Sequence, residues 1–346
     1  MENLLDQYIK SLQNISDLTN NSYLTFLKNA VEKVSVASHT DQVITEYNQD
    51  LLNIVSKQDF ALDSKQTNKF SQILGEAHFY LLCKNKGISL SRIKEEKGKK
   101  TPDFKLESQD IHFEVKTLSV VSGDFGIKNS LEDSLDAHIE IESQLQQGKR
   151  IATGVSVVQP YGEKPYQKEK GTITAVIDTL IEKASQNIKA GQFPNDKSFL
   201  VLNLSIIPPF RTENFVLRPA YCDNYMFQKA VSGELWMMAF ASPGAPVLGI
   251  PEFEGKPCVE SILKKNGILV EPDFDMVSGI LFMIHPWQRD TEIWGLYDHQ
   301  KFTTWSDNTP AIVETLLSLT GDNWNDDKDT NGWQLQGYEK QDKKNG

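Results

Sequence analysis

The stretch TPDFKLESQDIHFEVKT, residues 101–117, sets a Pro-Asp pair ten residues ahead of Glu-Val-Lys. Phe104 and Leu106 are the apolar positions of its first half; Ile111, Phe113 and Val115 alternate with His112, Glu114 and Lys116 in its second. That period of two reads as a pair of strands. Directly opposed residues of an antiparallel pair share a face, so burying Phe104 and Leu106 with Phe113 and Ile111 restricts the register, and the shortest solution turns at Ser108-Gln109. Asp103 then lies across from Glu114, with Cβ atoms ~5 Å apart, Lys105 faces His112, and Lys116 points the same way as Glu114. Two carboxylates that close repel each other unless positive charge lies between them, and hard divalent cations such as Mg2+ are bound by carboxylate oxygens in this manner. A solvated surface hairpin would show the same alternation, so the surrounding elements have to decide.

On the N-terminal side, Phe70, Ile73, Leu74, Ala77, Tyr80 and Leu81 form a helical stripe from Asn68 to Lys86 that carries Glu76 and stops at Gly87. Residues 1–66 show helical periodicity in Leu5, Tyr8, Ile9 and Leu12 and again in Leu24, Leu27, Val31 and Val34. On the C-terminal side, a helix near 130–147 ends at Gly148 and ATGVSVV at 152–158 reads as a buried strand. A helix near 172–190 follows, ended by Gly191, and then a strand at 198–207. This order predicts a mixed α/β fold with a central mixed β-sheet flanked by helices. Beyond Phe210 the apolar runs at 235–241, 278–284 and 293–297 read as added strands, and Asn308-Thr309-Pro310 opens a helix near 310–319. The expected organisation is a helical region (1–66), a core (67–206), additional strands and a helix packed on it (207–320), and a polar irregular tail (321–346) pinned by Trp324 and Trp333.

With 39% hydrophobic and 24% charged residues in 346, the chain has the composition of a soluble globular protein. Cys83, Cys222 and Cys258 have no ligand-like spacing, which argues against a disulfide framework or a zinc site and for a reducing compartment. The opening MENLLDQYIK lacks the features of a signal peptide, so the cytoplasm is the expected location. No apolar run approaches the roughly 18 residues that span a bilayer, so no membrane role is expected. A net charge of −11 opposes non-specific adhesion to nucleic acid. Locally the balance reverses: Lys84, Lys86, Arg92, Lys94, Lys97, Lys99, Lys100 and Lys105 face only Glu95, Glu96 and Asp103. No phosphate-cradling glycine motif occurs, so an ATP-driven step would need a partner. His112 reads as a surface histidine and His285 as a loop histidine.

Pro102-Asp103, ten residues, then Glu114-Val115-Lys116, in the order helix, strand, strand, helix, strand, resembles the PD-(D/E)xK nuclease superfamily over roughly residues 68–206. The resemblance implies a restriction-endonuclease-like core and a metal-dependent endonuclease that hydrolyses phosphodiester bonds, in DNA rather than RNA. It implies that Mg2+ (or Mn2+) is held by Asp103, Glu114 and the backbone carbonyl of Val115, and that Lys116 orients or helps deprotonate the attacking water. Glu76 stands where relatives often carry a further acid. Gln144 stands where some use a glutamine near the substrate, and Lys99 and Lys100 are candidate substrate contacts. A restriction, phage-defence or repair role suits such an enzyme, and a homodimer or protein partner suits the need for two sites to cut both strands. The alternative is a catalytically inactive nuclease-fold module that binds nucleic acid or a protein within a larger assembly; an intact Asp, Glu and Lys count against it.

Overall fold

A computed structural model describes residues 3–12, 22–57, 60, 63–94, 98–118, 137, 139–154, 173–186, 188–205, 214–224, 229–245, 247, 262–285, 290–305 and 308–325. Four helices come first: α1 (Leu4–Leu12), α2 (Ser22–Ala37), α3 (Gln42–Val55) and α4 (Ser64–Asn85). Asp63 caps α4 by accepting from the Lys65 and Gln66 N–H groups. Gly87 ends it at φ 78°, a left-handed conformation that favours glycine.

Strands β1 (Ser91–Arg92), β2 (Phe104–Leu106) and β3 (Ile111–Thr117) follow. The β2–β3 register pairs Phe104 with Phe113, Lys105 with His112 and Leu106 with Ile111, as the alternation of the hairpin demands. Asp110 closes the turn at φ 55°, its carboxylate held by Asn195 Nδ2 at 2.9 Å and Lys105 Nζ at 3.2 Å. Helix α5 (139–146), α6 (Ile173–Gln186), β4 (Ser198–Asn203), β5 (Ala220–Asn224), β6 (Lys229–Ser232), α7 (Glu234–Phe240), β7 (Gly279–Ile284), β8 (Glu292–Tyr297) and α8 (Thr309–Thr320) complete the order.

The protein is a mixed α/β structure; among the described residues it is built on a six-stranded sheet in the order β1-β2-β3-β4-β7-β8, with β5 and β6 as a separate ribbon. β3, β4 and β7 run parallel, and the outer pairs are antiparallel. Alternation along β4 divides the core: Phe199 and Val201 pack with Phe79, Tyr80, Phe104 and Phe113 toward α1–α4 and α8, while Leu200 and Leu202 pack with Ile177, Ile181 and Trp236 toward α6 and α7. The apolar runs at 278–284 and 293–297 thus extend the same sheet as the 101–117 hairpin. Trp324 joins β8 through a bridge to Gly295 and stacks on His299; Trp333 lies outside the described residues.

Several details differ from the sequence reading. The run at 235–241 forms the buried helix α7 instead of a strand. A short run apolar on every side has no period to distinguish the two, and its Leu, Met and Ala are good helix formers. The carbonyls of Met238 and Ala239 near its end accept from the Ile268 and Leu269 N–H groups, at 2.9 and 2.8 Å. His112 is not at the surface: it is 8% exposed, with Ser198 of β4 beside it in the sheet and Asn195, in the segment entering β4, against its side chain. Gly191 does not end α6, which stops at Gln186; it lies in a 3-10 turn, Ala190–Gln192, where a Cβ would come within 2.6 Å of the Lys100 carbonyl oxygen. Of the expected strand at 152–158, residues 152–154 are not in a strand and the rest lie outside the described residues.

Asp41 ties the N-terminal helices to α4. Its Oδ1 accepts from the Ile44 N–H at 3.0 Å as the cap of α3, and its Oδ2 accepts from the Tyr80 hydroxyl at 3.1 Å and from the Lys84 ammonium. Burial pushes the carboxyl up, but these donors more than offset it and hold the pKa below its usual 3.8. Asp41→Ala is expected to destabilise the fold by about 1 kcal/mol through loss of the cap, and by more because Lys84 and Tyr80 lose their acceptor. Because the folded-state pKa is depressed, this stabilisation is complete above the unfolded value and is lost as the pH falls through the folded one. Urea unfolding of parent and variant should therefore differ at pH 7 and converge as the pH falls through the depressed folded-state value; a gap that is constant with pH would contradict the assignment.

Candidate functional site

The hairpin, α3 and α4 enclose a cleft of ≈ 860 Å³. Asp103, Glu114, Val115 and Lys116 line it from the hairpin, Glu76 from α4 and Tyr47 from α3. Asp103 stands one residue before β2 with its backbone held from both neighbours. Its N–H donates to the Phe113 carbonyl at 3.0 Å, and its own carbonyl accepts from the Ile93 N–H at 2.8 Å. The paired register ends at Phe104–Phe113, and the Asp103 N–H bonding the Phe113 carbonyl means that Asp103 is not paired with Glu114 as the sequence reading expected. Its side chain reaches across to the partner strand, where Oδ2 accepts from the Val115 N–H at 2.7 Å.

Glu114 is 3% exposed. A buried carboxylate needs compensating donors, and Glu114 Oε1 accepts from both the Lys116 ammonium and the Gln192 side-chain amide. Lys116 lies two residues along the same strand face, so the alternation of β3 itself brings the ammonium and the carboxylate together.

Glu76 completes an acidic group at the back of the cleft. Burial and then the charge of Asp103 push its carboxyl up to about 8; Glu114 adds to the rise, while the Tyr47 hydroxyl and Arg92 oppose it. Tyr47 donates to Glu76 Oε2 at 3.0 Å, and the Arg92 guanidinium sits 3.8 Å above the Tyr47 ring. Arg92 and Lys94 are themselves paired with Glu46 at 3.6 and 3.1 Å, and Arg92 with Asp50 at 3.5 Å. Lys69 and Lys100 also reach the cleft, so its walls carry both signs of charge.

The structure therefore brings together Asp103, Glu114, Val115, Lys116, Glu76 and Lys100. Lys99 is exposed and does not line the cleft. Gln144 does not line it either: on α5, it donates to the Thr153 carbonyl at 2.9 Å and accepts from the Thr153 N–H at 3.3 Å, clamping the loop that follows the helix. Tyr47 and Gln192 carry no signal in the sequence, and Arg92 stands out there only as a member of the basic run 84–105. Tyr47 and Gln192 stand 56 or more residues from the hairpin's nearest acid, and no local pattern links them to it.

Among the described residues, no group of three or more His, Cys, Asp and Glu side chains is arranged to hold a metal ion. The donor set nevertheless fits Mg2+, which usually takes one or two carboxylates and retains waters: Asp103 and Glu114 supply hard oxygens from the two limbs of the hairpin, and a cation would offset the charge that Asp103 and Glu114 set against Glu76. Among the described residues, no helix is long and apolar enough to cross a membrane. No protein-family model, curated protein or solved structure matches the chain.

Proposed function

We propose that this protein is a metal-dependent nuclease of the PD-(D/E)xK type, with a restriction-endonuclease-like core, that hydrolyses phosphodiester bonds in DNA. The observation that carries the reading is the single cleft that Asp103, Glu114, Lys116 and Glu76 line together, with the Asp103 carboxylate held by the Val115 N–H beside Glu114. The order α4, β1, β2, β3, α5, α6, β4, with β4 parallel to β3, supports it.

In this reading Asp103, Glu114 and the Val115 carbonyl would hold Mg2+ or Mn2+, which when bound lowers the pKa of a coordinated water and offsets charge building on the phosphate. The chain's own part is to fix the donors and supply the lysine. The Val115 N–H holds Asp103 against the strand that carries Glu114. Lys116 keeps an ammonium beside Glu114, where it would orient the attacking water and stabilise the charge that develops on transfer of its proton. Lys69 and Lys100 offer cations to the substrate backbone along the cleft.

The test is cleavage of plasmid and oligonucleotide DNA by the full chain. Cutting that requires Mg2+ or Mn2+, stops with chelator and returns on adding the metal back is the expected result. Binding without cutting under every metal condition would favour the rival non-catalytic module, and neither binding nor cutting would remove the nuclease reading. A restriction, defence or repair setting is part of the proposal, and cleavage with and without a methylated or damaged substrate addresses it.

A further inference from the structure

The 3-10 turn Ala190–Gln192 bridges the two limbs of the hairpin that carry the acids. On one side Gly191 lies against the carbonyl of Lys100, three residues before Asp103, so closely that a Cβ there would approach that oxygen to 2.6 Å. On the other side Gln192, 6% exposed, donates from Nε2 to Glu114 Oε1. The orientation of this amide is set by a second bond: the Lys189 N–H donates to Gln192 Oε1 at 2.8 Å. A backbone N–H has only a proton to offer, so the amide oxygen must face Lys189 and the NH2 group must face Glu114.

Glu114 thus has two donors of different kinds on one oxygen. Lys116 carries a full charge and is one of the groups that would turn to water or substrate. Gln192 is neutral, buried and fixed at its far end, so it orients the carboxylate without cancelling its charge.

We infer that Gln192 is a positioning residue that sets the Glu114 carboxylate for a divalent cation, with Gly191 keeping the turn close enough to the Asp103 limb for both acids to serve one site. The inference rests on the nuclease reading and deepens it. Partners that orient metal-holding side chains commonly change metal affinity about 10–100-fold when removed.

Mn2+ binding to the full chain, measured by calorimetry without nucleic acid, reads the effect directly. Gln192→Met keeps the length of the side chain and removes the donor; Gln192→Asn keeps the amide but shortens its reach, and serves if the methionine variant folds poorly. Each is expected to weaken Mn2+ binding about 10–100-fold, to lower kcat with KM for an oligonucleotide unchanged, and to leave oligonucleotide affinity in chelator as in the parent. Because Gln192 acts through Glu114, adding Gln192→Met to Glu114→Gln should produce little further loss of Mn2+ affinity, whereas a merely structural role would make the two losses add. Unchanged affinity in both Gln192 variants, or additive losses, would overturn the inference while a parent that binds Mn2+ and cuts DNA keeps the nuclease reading. A parent that neither binds Mn2+ nor cuts removes both.

Discussion

Asp103→Asn is expected to remove Mg2+-dependent cleavage and leave the fold standing. The amide oxygen still accepts the Val115 N–H that Asp103 Oδ2 now takes at 2.7 Å, so the packing between the strands survives. What disappears is one of two anionic oxygen donors, and with it both the grip on the cation and the charge that draws it. Lys116→Ala should cut the rate by about 10²–10⁴-fold, the contribution usual for a positioned acid–base group. It should leave more residual metal binding than the Asp103 variant, because the lysine is not itself a metal donor. Single-turnover cleavage beside Mn2+ calorimetry measures the pair. Full activity in Asp103→Asn would remove the site; equal metal affinity in parent and Asp103→Asn would remove the role given to that carboxylate.

The second large effect is expected from Gly75, next to Glu76 on α4. A Cβ at Gly75 would lie 2.7 Å from Asn203 Nδ2 and closer still to Thr117 Oγ1, two side chains that hydrogen-bond to each other across β3 and β4. The helix rests on the sheet at this point because the residue has no side chain. Gly75→Val therefore has to lift α4 or break the Thr117–Asn203 bond, and overpacking of this kind costs about 1–3 kcal/mol. Lifting the helix also carries Glu76 away from Asp103, so activity should fall by more than the lost stability explains. Urea denaturation and cleavage rates under conditions where the variant is fully folded separate the two effects. A Gly75→Val chain as stable and as active as the parent would show that α4 does not rest on the sheet through this residue.

These two predictions rest on different kinds of information. The hairpin was legible because its constraint is local: with a side-chain period of two, burying Phe104 and Leu106 with Phe113 and Ile111 leaves one short register, and that register is the one found. α4 and α8 were legible for a similar reason, through an apolar stripe with Gly87 at one end and Asn308-Thr309-Pro310 at the other. The run at 235–241 was not, because a segment buried on all sides keeps no periodicity from which to tell helix from strand. Burial of His112 was also hidden, since a strand's alternation does not reveal which distant segment, here the one entering β4, packs on its polar side.

From sequence alone come the mixed α/β class, the hairpin and its Phe104–Phe113 register, the alternation that sets Glu114 and Lys116 on one face of β3, and Glu76 on the preceding helix. Only the tertiary structure decides that β7 and β8 continue the same sheet, that Gln144 serves the loop at Thr153 while Gln192 serves Glu114, and that Tyr47, with Arg92 over its ring, donates to Glu76. Strand and helix periods act between near neighbours in the chain, so they can be read along it. Gln192 meets Glu114 across 78 residues, through a contact made when the core closes, and no pattern within either segment encodes it.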